Sequence, residues 1–250
     1  MHPSLHVQGS VATITLQNPE LANRLSVGDL EIIQGHIREV NSNPNVLVLK
    51  LQATGNYFCS GFDISSLHQD AEEKSLLFET IVNAFEDCRP ITIAILQGGV
   101  YGGATDLALA CDFRVGSTLA EMLMPAAKLG IHFYQRGLER YVSRLGIDTA
   151  KRLLLCAEKI KAEEMNQIGF LTTLTTPEVL ASRADELIAN LLKMAPLSLL
   201  GMKKHLNMIA RGCLNIDELA KDIATAQNSQ DLQEGRAAWS EKRSPQFTGR

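Results

Sequence analysis

Gln97-Gly98-Gly99-Val100-Tyr101-Gly102-Gly103-Ala104-Thr105-Asp106 is the stretch whose reading decides the fold. It follows a short apolar run, Ile91 to Leu96, and opens into a second one, Leu107 to Cys111, which reads as a helix. A glycine pair between a strand and a helix leaves backbone N–H groups uncovered at the positive end of the helix. Such groups can hold an oxyanion. A tight turn that needs glycine only for backbone freedom would use the same letters.

Working outward, Leu5-His6-Val7 and Val11 to Leu16 flank Gln8-Gly9-Ser10 as two strands and a hairpin turn. Ser26 is an N-cap candidate for a helix marked by Leu30, Ile33, Ile37 and Val40. Val46 to Leu51 reads as a buried strand, and Glu73 to Cys88 as a helix closed by Pro90. Strand, helix, strand, helix in this order predicts a mostly parallel sheet with right-handed crossovers. Beyond Arg114 the chain reads as helices over 139–145, 149–156, 162–168, 177–193, 196–210 and 216–227, with Gly130, Gly146, Gly169 and Gly212 between them. No linker rich in Pro, Gly or Ser divides the two halves, and there is no internal repeat.

The chain has 250 residues, 45% of them hydrophobic and 21% charged, which is ordinary for a globular protein with one large core. A formal net charge of −4 gives no electrostatic reason to expect nucleic acid or an anionic membrane as partner. Cys59, Cys88, Cys111, Cys156 and Cys213 are odd in number and lack metal-ligand spacing, so buried thiols are expected, with no disulfide framework and no metal. Met1 to Leu5 carries no basic region followed by an apolar block, and no apolar run reaches the roughly twenty residues of a membrane span. The expected compartment is the cytoplasm.

Gly55-Asn56-Tyr57-Phe58-Cys59-Ser60-Gly61-Phe62-Asp63-Ile64 is a second glycine turn after a strand. Two such turns can offer one N–H each to a single thioester oxygen. Asn18-Pro19-Glu20-Leu21-Ala22-Asn23 precedes them, and the run Glu234 to Phe247 closes the chain. Together the four segments resemble the enoyl-CoA hydratase/isomerase, or crotonase, family, over nearly the whole chain. The resemblance implies an α/β fold, a crotonase-like spiral of repeated ββα units over residues 1–190. It also implies a C-terminal helical trimerisation region over 191–250, giving a homotrimer or a dimer of trimers. The substrate would be an acyl-CoA ester, with coenzyme A arriving as part of it and no separate cofactor.

By motif position, Phe62 and Gly103 would supply the two N–H groups, with Leu21, Ser60, Gly61, Asp63, Gly102 and Ala126 lining the substrate. Asp106 would be the acid/base, where hydratases of the family commonly carry glutamate; helix-end stabilisation would also account for an acid in a first turn. His132 and Tyr134 follow in a loop where related enzymes place reaction-specific groups, and Tyr134 is the stronger candidate. Packing would account for Phe133-Tyr134 and a solvated loop for His132. Asp63 reads as a cap, and Cys59 as a packed thiol, since nothing beside it in sequence would lower its pKa.

Two departures stand out. Pro125-Ala126 replaces the family's Pro-Glu, so the second acid of the usual hydration route is absent. Glu20 occupies a place where a basic residue often meets the CoA phosphates; Lys203-Lys204 and Lys242-Arg243 are further cations, equally readable as solvated faces. A single acid can still move a proton between two carbons. The readings are therefore an enoyl-CoA hydratase/isomerase-type enzyme (an isomerase or atypical lyase), a non-catalytic acyl-CoA-binding or assembly protein, and a thioester hydrolase.

Overall fold

The computed structural model describes residues 1–63 and 71–250, with the side chains of 71–75 outside the description. Ile64 of the second glycine segment therefore lies outside the described residues. The chain opens with an antiparallel hairpin, β1 (Ser4–Gln8) and β2 (Val11–Leu16), and then α1 (Val27–Ser42). Ser26 caps α1 in a full capping box with Asp29, and Leu30, Ile33, Ile37 and Val40 form its buried stripe.

Three ββα turns follow: β3 (Val48–Ala53), β4 (Tyr57–Cys59) and α2 (Ala71–Glu86); β5 (Ile91–Leu96), β6 (Gly99–Tyr101) and α3 (Gly103–Ala110); β7 (Phe113–Ser117), β8 (Glu121–Leu123) and α4 (Gln135–Leu145). The first strand of each turn joins a six-stranded sheet in the order β1-β2-β3-β5-β7-β10, and the second joins a four-stranded sheet in the order β4-β6-β8-β9, with β9 at Lys159–Lys161 and β10 at Thr173–Thr175. All neighbours are parallel except β1/β2 and β8/β9. This is the spiral that the resemblance implies.

Every residue of β5 is buried, because the strand is covered on both faces. Ile91, Ile93 and Ile95 pack towards Leu180, Ala184 and Ile188 of α7 (Leu180–Leu191), while Ala94 and Leu96 join the main core. Between α4 and α7 come α5 (Ile147–Cys156) and α6 (Ala162–Gln167); after α7 come α8 (Pro196–Ala210), α9 (Ile216–Gln227) and α10 (Gln230–Glu241). None of the residues of α9 is buried, so this last group is a helical appendage to the spiral.

Several elements differ from the sequence reading. The strands β4, β6 and β8 have three residues each, too few to display a period. The third helix starts at Gly103, four residues before its apolar run. Cys156 and Cys213 are exposed, whereas Cys59, Cys88 and Cys111 are buried. The first two lie on or after surface helices whose apolar faces are incompletely covered.

Candidate active site

The glycine turns meet because their backbones have no Cβ to keep them apart. A Cβ on Gly98 would lie 1.9 Å from the Asn56 carbonyl oxygen, and one on Gly61 would lie 2.8 Å from the Tyr101 oxygen and 3.2 Å from the Gly103 nitrogen. Gln97 ties the turns further, its side-chain amide donating to the carbonyls of Ala53, Gly55 and Tyr57. The Asn-Pro…Asn loop completes the wall. Asn23 is buried, donates to Thr54 and Tyr57 carbonyls at 2.8 and 2.9 Å, and accepts from the Asn18 N–H at 2.8 Å.

The backbone pairing also decides which N–H groups remain. Leu25 bridges Phe62 in parallel fashion: Leu25 N–H donates to the Gly61 carbonyl and Asp63 N–H to the Leu25 carbonyl. A parallel bridge uses the neighbours of Phe62 and turns its own N–H the other way. Gly103 is the first residue of α3, where helix geometry supplies no acceptor for an N–H. Phe62 and Gly103 thus flank the contact made by Gly61. Above them the rings of Phe62 and Phe78 stand 5.9 Å apart, and Phe78 lies against the bare Cα of Gly103.

Asp106 is one turn further along α3 and is fully buried. Its Oδ2 accepts the Tyr134 hydroxyl and the Arg140 guanidinium, the latter at 2.6 Å. Its Oδ1 is buried with no hydrogen-bond partner among the described residues. Tyr134 immediately precedes α4, and its ring stacks on Phe133 at 4.7 Å. Burial, followed by the Asp106 charge, pushes the phenol well above its ordinary pKa, so it stays a proton-bearing donor. Tyr134→Phe is expected to keep the ring stacking and lose one charge-assisted hydrogen bond. That is about 1.5–3 kcal/mol of stability, measurable by denaturant unfolding, with turnover remaining well above that of Asp106→Asn.

The other candidates fall at different distances from this centre. His132 is exposed, its Nδ1 at 2.8 Å from the Phe133 carbonyl oxygen. Leu21 is half exposed on the loop over the second glycine turn, and Ser60 N–H donates to the Ala22 carbonyl beside it. Asp63 stands 3.6 Å from the half-exposed guanidinium of Arg24, a cation directly after the Asn18–Asn23 loop. Ala126 is buried at the start of a short 3-10 turn, Ala126–Leu129, and brings no acid. Cys59 donates its thiol to the Asn23 carbonyl, and burial raises its pKa to about 12, which suits a packing role.

Three of the other cations singled out in the sequence pair away from this centre. Lys203 is buried against Asp112, Lys204 bridges Glu218 and Asp222, and Arg243 pairs with Glu234 and Glu241. Among the described residues no group of three or more His, Cys, Asp or Glu side chains is arranged to hold a metal ion, and no helix is long and apolar enough to cross a membrane.

Residues 6–250 match the family described as enoyl-CoA hydratase/isomerase. The chain belongs to that family. Within the enoyl-CoA hydratase/isomerase family it is similar to YngF of Bacillus subtilis (strain 168), at 31% identity over 249 residues, 96% of this chain and 95% of YngF. It is also similar to a crotonyl-CoA hydratase of Syntrophomonas wolfei, at 28% identity over 253 residues, 97% of this chain and 96% of that protein. The crystal structure of an enoyl-CoA hydratase from Bacillus anthracis superposes with a TM-score of 0.90, covering both chains completely at 24% identity, which shows the shared fold. Family and fold together support an acyl-CoA-transforming enzyme.

Proposed function

We propose that this enzyme moves the double bond of an enoyl-CoA ester, using a single carboxylate. The thioester oxygen accepts the Phe62 and Gly103 N–H groups. Oδ1 of Asp106 takes a proton from the α carbon, breaking that C–H bond and giving a dienolate whose negative charge rests on the thioester oxygen. The same carboxyl group returns the proton to the γ carbon, so a 3-enoyl ester becomes a 2-enoyl ester with no net gain or loss of atoms. Two fixed donors in a dry site stabilise the dienolate, and each is worth about 3–4 kcal/mol of barrier.

The observation that carries this reading is the division of labour within Asp106: Oδ2 is anchored twice, and Oδ1 is buried and unpartnered. Hydration by the two-carboxylate route needs a second acid, and Ala126 stands in its place. The carboxylate that shares Arg140 with Asp106 is Glu86, and both its oxygens are taken by arginines. Arg24, half-exposed beside Asp63 of the second glycine turn, is the cation we assign to the CoA phosphates in place of Glu20. Mass spectrometry of enoyl-CoA esters incubated with the enzyme in D2O tests the proposal. Double-bond migration without gain of water, with deuterium at the α or γ carbon, supports it; addition of water supports the hydratase route, release of free CoA supports hydrolysis, and tight binding without exchange supports a binding protein.

We also propose that the helical appendage mediates self-association as a trimer or a dimer of trimers. Met202, Leu206 and Ile209 of α8, Ile216 and Ile223 of α9, and Trp239 of α10 are all large apolar side chains left exposed, Trp239 at 88%. A single chain rarely exposes so much contiguous apolar surface without covering it. Leu206→Asp combined with Trp239→Asp is expected to shift the sedimentation coefficient to that of a 27.4 kDa monomer; unchanged sedimentation of an oligomer would place the interface elsewhere.

A further inference from the structure

The residues that hold Asp106 continue into a charge network that joins α2, α3, α4 and the end of α8. Arg140 of α4 is fully buried, with one guanidinium nitrogen on Asp106 Oδ2 and its Nε 3.0 Å from Glu86 Oε1. Its Nη2 donates to Asn83 at 2.9 Å and to Glu86 Oε2 at 3.3 Å. Glu86, at the end of α2, also takes Arg136 at 2.5 Å, with Arg144 at 3.7 Å and Arg211 of the α8 end at 4.0 Å. Arg136, Arg140 and Arg144 are spaced four residues apart, so one face of α4 presents three guanidinium groups to a single carboxylate.

We propose that Arg140 is a positioning residue for Asp106, and that Glu86 fixes Arg140 for that task. The inference rests on Asp106 being the base. An aspartate whose Oδ2 is clamped by a guanidinium and a phenol cannot rotate about its terminal bond without breaking both contacts. Oδ1 is therefore presented in one orientation, and near-attack geometry of that kind is what a shift of about 1 Å destroys, at about 100-fold in rate.

Arg140 can do this only because it is itself held. Burial works against its charge, but Asp106 and Glu86 more than offset that and keep its pKa raised. Burial likewise disfavours the Glu86 charge, and Arg140, Arg136 and Arg144 reverse the balance, so Glu86 stays ionised below the usual carboxylate range. The groups facing Asp106 from the packed elements are, among the described residues, Arg140 from α4 and Tyr134 just before it in direct contact. Behind them stand Tyr141, bonded to Thr105, together with Glu86, Arg136 and Arg144.

Arg140→Gln removes the guanidinium that clamps Oδ2, and kcat is expected to fall by about 100-fold with KM near wild type. Glu86→Gln leaves Arg140 with one charged anchor in place of two, and a smaller loss of kcat, about 10-fold, is expected with KM near wild type. Arg140→Lys keeps the charge without the fork and is expected to recover only part of kcat.

A residue needed only for folding would lower the amount of active protein and leave kcat per active site and KM unchanged. Lowered kcat with wild-type KM in both Gln variants, partly restored in Arg140→Lys, with Asp106→Asn inactive, supports the inference. Wild-type kcat per active site in both Gln variants, with Asp106→Asn inactive, overturns it and leaves the Asp106 assignment standing. Full activity of Asp106→Asn overturns both. If Arg140→Gln does not fold, Glu86→Gln and Arg140→Lys decide alone, and wild-type kcat in both refutes the network.

Discussion

Asp106→Asn is expected to lower kcat for enoyl-CoA isomerisation by about 10²–10⁴-fold, with KM near the wild-type value. That range is what a positioned proton-transfer group typically contributes. The asparagine side chain has the same shape, and nothing assigned to hold the thioester oxygen is touched, so binding survives while proton transfer does not. The variant also tests the buried pair. Arg140 loses one of its two charged partners and keeps the other, Glu86, so the protein stays folded but loses about 1.5–3 kcal/mol, the scale of a hydrogen bond to a charged group. Chemical denaturation reads the second effect and single-turnover deuterium exchange the first. Wild-type exchange rates in Asp106→Asn would remove the aspartate from the reaction and reduce its burial to a structural ion pair.

The framework of this fold is visible in the chain because its long strands are apolar and its turns are glycine-rich. Ile91–Leu96 is buried along its whole length and reads as a continuous apolar run, while Val48–Ala53 is apolar apart from the half-buried Lys50 and Gln52. Ser26 and Asp29 announce α1, since a capping box is written in adjacent letters. The second sheet is not visible in this way. Its strands β4, β6, β8 and β9 take three residues each, and two of them lie inside the glycine segments that mark turns. The helix α10 was likewise hidden behind a closing motif, since Gly235 and Arg236 interrupt its apolar pattern.

The site divides along the same physical line. The backbone donors proposed for it come from local chain geometry, so the glycine motifs around Phe62 and Gly103 mark them. Its charge network comes from contacts between distant segments. Gln135–Leu145 is a polar-looking helix, and nothing within one turn of Arg140 reveals that its partners are Glu86 and Asp106, 54 and 34 positions away. A signal was present nonetheless: Arg136, Arg140 and Arg144 recur every fourth residue along one face of the helix. Tyr134 was legible as a candidate from its loop, but only the fold brings its hydroxyl to Asp106.

Gly61→Ala should be nearly as damaging as the loss of the carboxylate, through a different link of the chain. Gly61 has φ +97°, a conformation that strains any L residue, and its missing Cβ would sit 2.8 Å from the Tyr101 oxygen and 3.2 Å from the Gly103 nitrogen. Neither wall can yield easily. On one side Gly102 N–H is bonded to the Leu123 carbonyl; on the other, Gly61 and Asp63 are bonded to Leu25 and Ser60 to Ala22. A methyl group must therefore push the two turns apart or rotate the peptide that carries the Phe62 N–H. Either movement spoils the convergence of the proposed oxyanion donors, and kcat is expected to fall by about 10²–10³-fold, the usual cost of losing one donor. Strain alone is separated out by Gly212→Ala, at φ +65° with nothing within 4 Å of the new methyl. That control should lose about 1–2 kcal/mol of stability from the left-handed backbone and keep its turnover. Equal turnover in Gly61→Ala and Gly212→Ala would mean that the close approach of the glycine turns serves packing only, and the stabilisation of the dienolate would have to come from groups other than these two amides.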